Sequence, residues 1–357
     1  MSEFLLSYGL FAAKALTLVL LLLLIIMLVN FIIANRRPAE ESIEIQKINE
    51  KFEHLQEALE SEILPKELLK IKEKQKKKQE KEEAKALKLA LKEAEKAGQE
   101  PSDPKQKPRL FVLDFEGDMN ASEVSSLREC ITAILSVASS QDEVLICLES
   151  AGGIVHHYGL AASQLERVKR HGVPLTVAVD LIAASGGYLM ACVADKILAA
   201  PFAVVGSIGV YAQVPNVHRL LEKNNIDIEQ HTAGEYKTTL TLLGKNTDKA
   251  RKKFKEELQD THNLFKSFVS TYRPSLDMPK LATGEHWYGS QALELGLVDT
   301  LVTSDDYLIE KSKDWEIYGV RYVFQETLSS KLSHFLNDFC VKISQTLFKF
   351  AQRKTTV

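Results

Sequence analysis

Ser185 has the residue type and the surroundings of a nucleophile. It stands directly before Gly186 and Gly187 in the segment AASGGYLMA and opens an apolar, helix-like stretch. A serine in such a turn has an exposed oxygen, and the following glycines let a substrate backbone approach closely. The free amides of a first helical turn can also stabilise the negative oxygen of a tetrahedral intermediate. A helix N-cap with glycines for close packing explains the segment equally well.

Two other glycine-marked segments follow predicted strands. Gly152 and Gly153 lie in LESAGGIVHH, and Ser207 follows Gly206 in VVGSIGVY. Open α/β sheets build their sites at the carboxyl ends of their strands. An amide of the Gly152–Gly153 turn is therefore a candidate second donor to the same oxyanion.

The base that would activate the serine is harder to identify. His218 lies in a helix-like segment and His231 in a polar loop, and neither has an obvious carboxylate to orient it. Lys237 lies in the loop-like segment HTAGEYKTTLT. A lysine becomes a base at neutral pH when burial or a cationic neighbour lowers its pKa from about 10.4. An isolated loop lysine is more commonly a plain surface residue.

Alternating strands and helices must position these segments. Short apolar runs predict buried strands, at 110–115, 144–149, 175–180 and 196–200. Helical patterns are predicted between and after them, at 122–139, 158–171, directly after Ser185, and at 246–273, 289–296 and 304–312. This rhythm is typical of parallel βαβ units with both faces of the sheet covered.

Five segments, in their order and spacing, resemble the signal peptide peptidase A family of serine peptidases; they are ESAGGIV, AASGGYLMA, GSIGVY, GEYK and GSQALELGLVD. The resemblance covers residues 109–325, and the region before it is similar to the SohB branch of that family. It implies that Ser185 is the nucleophile and Lys237 the general base. It further implies an oxyanion hole at Gly152 and the Gly186 amide, and a supporting role for Ser207.

The sequence departs from related patterns at two positions. In the Clp branch of the wider Clp-protease and crotonase superfamily, a histidine follows the serine by about 25 residues, where this chain has Val210. Relatives often have proline where Ala151 stands, so the turn before Gly152 is less constrained here.

The resemblance implies a Clp-protease/crotonase-like α/β spiral that assembles into a ring-shaped homo-oligomer. It implies a membrane-bound serine endopeptidase whose Ser-Lys dyad hydrolyses apolar peptides, such as signal peptides or damaged membrane proteins. A catalytically inactive membrane scaffold and a crotonase-like acyl-CoA enzyme are the alternatives.

An apolar run at 16–33 is long enough to cross a bilayer, which takes about 20 residues. It is too long for the apolar region of a signal peptide, so we expect a retained anchor. Arg36 and Arg37 follow the run and favour a cytoplasmic body under the positive-inside rule. The family resemblance favours the opposite side, and we expect a single-pass inner-membrane protein with a periplasmic catalytic domain.

The remaining chain divides by composition. The predicted parts are an anchor at 1–37, a charged helical or coiled-coil stalk at 38–98, a proline-rich linker at 99–108, the peptidase domain at 109–325, and an amphipathic C-terminal helix at 326–357. The stalk pattern fits a coiled coil and a solvated single helix equally well. The C-terminal stripe can pack on the domain, form a subunit contact or lie on a membrane.

The net charge of -3 gives no indication of nucleic-acid binding. Four cysteines are too few for a disulfide framework in a chain of this length, and Cys147 and Cys192 lie in apolar runs typical of buried thiols. No Cys-x-x-Cys pair or His/Cys cluster indicates a metal, and we expect no cofactor.

Overall fold

The computed structural model describes residues 9–11, 14–21, 27, 41–97 and 107–324. The chain forms two compact units, one of residues 1–43 with 322–357 and one of residues 44–321. In the first unit the described residues before position 28 are helical. The second unit holds the sheet except for strand residues 41–43 and 322–324, and it holds all the candidate site residues.

The described strands form one mixed sheet. They are β1 (Glu41–Lys47), β2 (Arg109–Gly117), β3 (Glu143–Ser150), β4 (Leu175–Val179), β5 (Ile182–Ala184), β6 (Lys196–Ala199), β7 (Val204–Gly206), β8 (His286–Tyr288), β9 (Thr300–Leu301) and β10 (Glu316–Phe324). The order along the main path is β1-β10-β2-β3-β4-β6-β9. Pairings from β10 through β9 on this path are parallel. A side branch runs from β3 through β5 and β7 to β8, and only its last pairing is antiparallel.

Helices cover both faces of this sheet. They are α1 (Ile48–Ile63), α2 (Lys66–Ala97), α3 (Val124–Leu135), α4 (Val155–Arg170), α5 (Gly186–Ala191), α6 (His218–Lys223), α7 (Asp248–Tyr272), α8 (Met278–Leu281), α9 (Gly289–Glu294) and α10 (Ser304–Lys311). On one face, α4 packs against both α3 and α5. On the other, α1 and α10 pack on a core cluster of Leu110, Leu145, Leu198 and Ile317.

The predicted α/β class is confirmed, and so are the elements of the body. The apolar runs at 110–115, 144–149, 175–180 and 196–200 form β2, β3, β4 and β6. Their continuous burial explains why they lack polar alternation, since strands covered on both faces read as apolar runs. The three helices predicted after position 245 are α7, α9 and α10.

The region before the body differs from the predicted stalk. Residues 43–47 form part of β1, because Ile43 and Ile45 alternate with polar residues at the period of a strand. At Leu64, extended backbone before Pro65 ends the first helix, as a following proline requires. The two helices then form a hairpin, joined by ion pairs of 2.8 Å from Lys72 to Glu60 and from Lys76 to Glu53 and Glu57.

The proposed membrane anchor falls largely outside the described residues, and the C-terminal helix at 326–357 falls wholly outside them. Across the ranges that are described, no helix has both the length and the apolar character needed to cross a bilayer.

Candidate active site

Ser185 lies at the junction between β5 and α5. Its backbone has φ 51°, in the left-handed region that a non-glycine residue seldom adopts. The Ser185 N–H donates to the carbonyl oxygen of Gly206 at 2.8 Å, which ties the turn to the end of β7. The Ser185 side chain makes no capping hydrogen bond to the helix it opens. The hydroxyl is therefore not used as an N-cap, and the strained turn is of the kind that accumulates at functional sites.

Gly152 comes to the same point from the end of β3. Its φ is 86°, and a Cβ on it would lie 2.8 Å from Ser185 Cβ and 2.6 Å from the amide nitrogen of Gly186. Both contacts are shorter than a real Cβ tolerates. The structure thus brings three of the predicted site residues, Gly152, Ser185 and Gly186, into direct contact.

The amides at this junction are not equivalent. The Gly186 amide belongs to the first turn of α5, where no intrahelical acceptor is available. The Gly152 N–H already donates to Ser150 Oγ at 3.0 Å. Across residues 107–324, we find no hydrogen bond from the Gly153 N–H. Sequence reasoning chose Gly152 from the pair. In the structure, the hydrogen bond to Ser150 and the packing against Ser185 distinguish Gly152 from Gly153.

Tyr158 is a further residue of this junction that sequence reasoning missed. Its fully buried phenol lies 2.6 Å from Ser150 Oγ and donates to the Asp118 carbonyl oxygen at 2.7 Å. Burial raises the pKa of Tyr158, so the phenol stays protonated at neutral pH. Its one sequence signal is that it stands in the first turn of a predicted helix that follows the glycine turn.

Ser207 lies in the turn next to the one that carries Ser185. Its φ is 54°, its N–H donates to the Glu285 carbonyl oxygen at 2.7 Å, and its hydroxyl donates to the Gly284 carbonyl oxygen at 3.4 Å. The preceding Gly206 accepts the Ser185 N–H, so the two serines sit on turns that are joined by one hydrogen bond.

Lys237 lies in an exposed turn of the segment between α6 and α7. Its backbone N–H donates to the Gly234 carbonyl oxygen at 3.2 Å. Within residues 107–324, no hydrogen bond or ion pair joins its side chain to Ser185. The structure therefore brings the predicted nucleophile and oxyanion residues together but gives the predicted base no contact with them.

The histidines of the described body offer no substitute base. His231 pairs with Glu229 at 3.5 Å on the exposed surface, and His262 lies 3.3 Å from the carbonyl oxygen of Ile208. His157 is the described side chain with a buried nitrogen and no partner, but its ring stacks edge-on with His156. Among residues 107–324, no histidine hydrogen-bonds the Ser185 hydroxyl.

The segment GLVD, which ends at Asp299, has a packing role. Asp299 accepts from the Arg273 guanidinium at 2.7 and 2.8 Å, and Arg273 also donates to the Gly296 carbonyl oxygen. Tyr188, on the helix that Ser185 opens, donates to the Leu297 carbonyl oxygen at 2.9 Å. Cys192 is buried and Cys147 is half-buried, and desolvation raises the pKa of the Cys147 thiol to about 12.

The chain matches two family models. One is described as peptidase family S49 and matches residues 167–317, and the other as the N-terminal part of the same family and matches residues 3–165. The probable protease SohB of Haemophilus influenzae is 49% identical over 343 residues, which is 96% of each chain. The protein of the same name from Buchnera aphidicola subsp. Acyrthosiphon pisum is 55% identical over 68% of this chain and 71% of its own.

Among solved structures, the chain is similar to a lysine-to-alanine mutant of the membrane-bound stomatin-specific protease 1510-N, in complex with a substrate peptide. The sequence identity is 13% and the TM-score is 0.39, with 65% of this chain and 99% of that chain covered. A similarity this low carries no argument about the site.

Proposed function

The chain belongs to peptidase family S49 as a SohB-type peptidase, and from this premise we propose that Ser185 is its nucleophile and Lys237 its general base. The observation that carries the proposal is the contact of Gly152, Ser185 and Gly186 at the ends of β3 and β5. An uncapped serine oxygen on a strained turn, beside free amides, is the arrangement that acyl transfer needs.

In the proposed reaction, neutral Lys237 takes the proton of the Ser185 hydroxyl while Oγ attacks the substrate carbonyl carbon. The tetrahedral intermediate collapses with cleavage of the C–N bond, and the leaving amine receives the proton from Lys237. Water then attacks the acyl-enzyme, with Lys237 again as the base, and releases the acid and the free serine.

The Gly186 N–H is one proposed donor to the oxyanion. For the second, the Gly152 N–H would have to give up its bond to Ser150 Oγ. The Gly153 N–H needs no such exchange. We therefore assign the second oxyanion donor to the Gly153 N–H. The role of Gly152 is to let the turn approach Ser185 closely.

The dyad requires the Lys237 nitrogen within about 3 Å of Ser185 Oγ. The segment between β7 and α7 that carries this lysine exposes apolar side chains, which are Tyr211, Leu220, Ile226, Ile228, Leu242 and Leu243. A stretch of this kind marks an interaction surface. This supports a ring-shaped homo-oligomer in which assembly fixes the segment and brings Lys237 into the site.

Apolar, extended peptides are the proposed substrates. Met119 and Val155 flank the Gly152–Gly153 turn, and their side chains are 66% and 42% exposed. Apolar groups at the rim of the site favour apolar residues near the scissile bond. Signal peptides and damaged membrane proteins have this character.

For the architecture, we propose a Clp-protease/crotonase-like spiral for the α/β body and a single-pass inner-membrane anchor at 1–37, with the catalytic domain in the periplasm. Digestion of intact spheroplasts with an added protease tests the location. Loss of the body supports the periplasmic side, and its protection contradicts it.

The test of function is hydrolysis of a fluorogenic apolar peptide amide by the detergent-solubilised full chain and its variants. We expect Ser185→Ala and Lys237→Ala to abolish turnover, and Lys245→Ala, which changes another exposed lysine of the same segment, to retain it. An assembled wild type that hydrolyses nothing would instead indicate a scaffold, and full activity of Lys237→Ala would rule out the proposed base.

A further inference from the structure

A line of hydrogen bonds runs from the glycine turn into the core behind it. The Gly152 N–H donates to Ser150 Oγ at 3.0 Å, and Ser150 Oγ lies 2.6 Å from the Tyr158 hydroxyl. The Tyr158 hydroxyl lies 2.7 Å from the Asp118 carbonyl oxygen. The two hydroxyl groups between the turn and Asp118, those of Ser150 and Tyr158, are therefore linked in series.

The direction of these bonds is fixed by proton count. The Asp118 carbonyl oxygen can only accept, so the Tyr158 hydroxyl donates its one proton to that oxygen. Tyr158 must then accept from Ser150, and the Ser150 oxygen is left to accept from Gly152. The longer contact from Ser150 Oγ to the Gly117 carbonyl oxygen, 3.2 Å, shares the same serine proton. Gly152, Ser150 and Tyr158 each contribute one proton, and hydrogen bonds aligned in this way strengthen one another in a buried setting.

The ring of Tyr158 supports the other half of the junction. A Cβ on Gly186 would lie 2.4 Å from Cγ of that ring, so the backbone of Gly186 rests directly on it. The tyrosine is fully buried and Ser150 is 2% exposed. The Tyr158 ring thus supports Gly186, whose amide is a proposed oxyanion donor. The Tyr158 hydroxyl holds the Gly152–Gly153 turn through Ser150.

Apart from packing and one backbone hydrogen bond, from the Ile154 N–H to the Met119 carbonyl oxygen at 2.9 Å, the glycine turn is held by its bond to Ser150. Ala151 does not restrict φ as a proline would, and Gly152 and Gly153 have the greatest backbone freedom of any residue type. Amides that stabilise an oxyanion act only when they are held in place before the reaction. We propose that Tyr158 and Ser150 are positioning residues that fix the spacing of the two halves of the oxyanion hole; this rests on the proposed function of Ser185.

The variants Tyr158→Phe and Ser150→Ala test this, because the first keeps the ring and removes only the hydroxyl. With the fluorogenic peptide amide we expect kcat to fall about tenfold in each, a smaller loss than the about 10²–10³ for removal of a donor itself, with KM unchanged. The double variant should lose no more than the worse single variant, because both act through one chain of bonds.

Tyr307→Phe is the matched control. Tyr307 is also buried and donates its hydroxyl to Glu143 at 2.5 Å, on the opposite face of the sheet. We expect it to lose thermal stability with kcat unchanged. If Tyr158→Phe and Ser150→Ala keep wild-type kcat, or if Tyr307→Phe loses as much kcat as they do at an equal drop in melting temperature, the proposal is wrong.

The Ser185→Ala variant separates this outcome from failure of the proposed function. Full kcat in Tyr158→Phe while Ser185→Ala is inactive overturns the positioning role alone. Activity that persists in Ser185→Ala overturns the nucleophile, and with it the oxyanion hole that Tyr158 would position.

Discussion

Gly152 lies against Ser185 so closely that a Cβ on the glycine would be 2.8 Å from the Cβ of the serine. The two residues follow the ends of different strands, and Ser150 pairs with Ala183 in the register that joins β3 to β5. The ends of two parallel strands thus place the glycine turn and Ser185 together, as the general rule for open α/β sheets predicts.

Replacement of Gly152 by alanine should abolish peptidase activity. The new Cβ would meet three atoms within 3 Å, two of them backbone, and φ 86° is itself unfavourable for alanine. Turnover of the peptide amide measures the effect. Gly159→Ala is the matched control, because this helical glycine has nothing within 4 Å of its Cβ position. There we expect unchanged activity and a gain in stability of about 0.5–1 kcal/mol. An active Gly152→Ala enzyme would contradict the close contact.

Lys237→Arg should be as inactive as Lys237→Ala. Arginine keeps the positive charge, but its guanidinium does not deprotonate in proteins and cannot take the serine proton. Turnover across pH 6–10, about the range where a lysine base would titrate, is the readout. Lys245→Arg should behave as wild type. Retention of activity in Lys237→Arg would show that the lysine contributes charge and not base catalysis.

Both Ser207→Ala and Ser207→Gly should lower kcat about equally if the hydroxyl supports the site. They should differ in stability, since φ 54° costs alanine strain that glycine avoids. Parallel thermal melts and turnover separate the two effects. Wild-type kcat in Ser207→Gly would contradict a supporting role for the Ser207 hydroxyl in catalysis.

Stability should fall in acid through Asp142. Burial alone would raise the pKa of this carboxyl, but hydrogen bonds from Arg109 and Ser139 outweigh it and lower the pKa from 3.8 to about 2. A group with a lowered folded pKa stabilises the fold above its unfolded pKa and loses that contribution as the pH falls through the folded value. The window is therefore about pH 4 to pH 2.

The Asp142→Asn variant tests this by thermal melts against pH. We expect it to be less stable than wild type at pH 7, by about 2 kcal/mol, and the difference to shrink below pH 4. A stability difference that stays constant from pH 7 to pH 2 would contradict a contribution from the ionised carboxylate.

Local patterns were enough to predict the strands and helices of the body and the turn that holds Ser185. Apolar runs identify β2, β3, β4 and β6 because buried strands need no polar face, and glycines identify the turns at Gly152 and Ser185. The residues before the body were less clear. Ile43 and Ile45 also fit the start of the helical spacing that follows, so their period of two was missed.

Tertiary contacts account for what local patterns could not predict. Tyr158 bonds to the carbonyl of Asp118, 40 positions earlier in the chain, and no local pattern marks that contact. The assignment of the second oxyanion donor to Gly153 likewise depends on a side-chain contact, the hydrogen bond from the Gly152 N–H to Ser150 Oγ. Lys237 stays a prediction from family resemblance, because within residues 107–324 no hydrogen bond or ion pair joins its side chain to another site residue.

The most direct test of the Ser-Lys dyad is labelling of the detergent-solubilised full chain with a fluorophosphonate probe, with the modified residue located by mass spectrometry. The account predicts labelling of wild type at Ser185, none in Ser185→Ala, and strongly reduced labelling in Lys237→Ala but not in Lys245→Ala. Absence of labelling in the assembled wild type, or equal labelling of Ser185→Ala, would contradict Ser185 as the nucleophile, and undiminished labelling of Lys237→Ala would contradict Lys237 as its base.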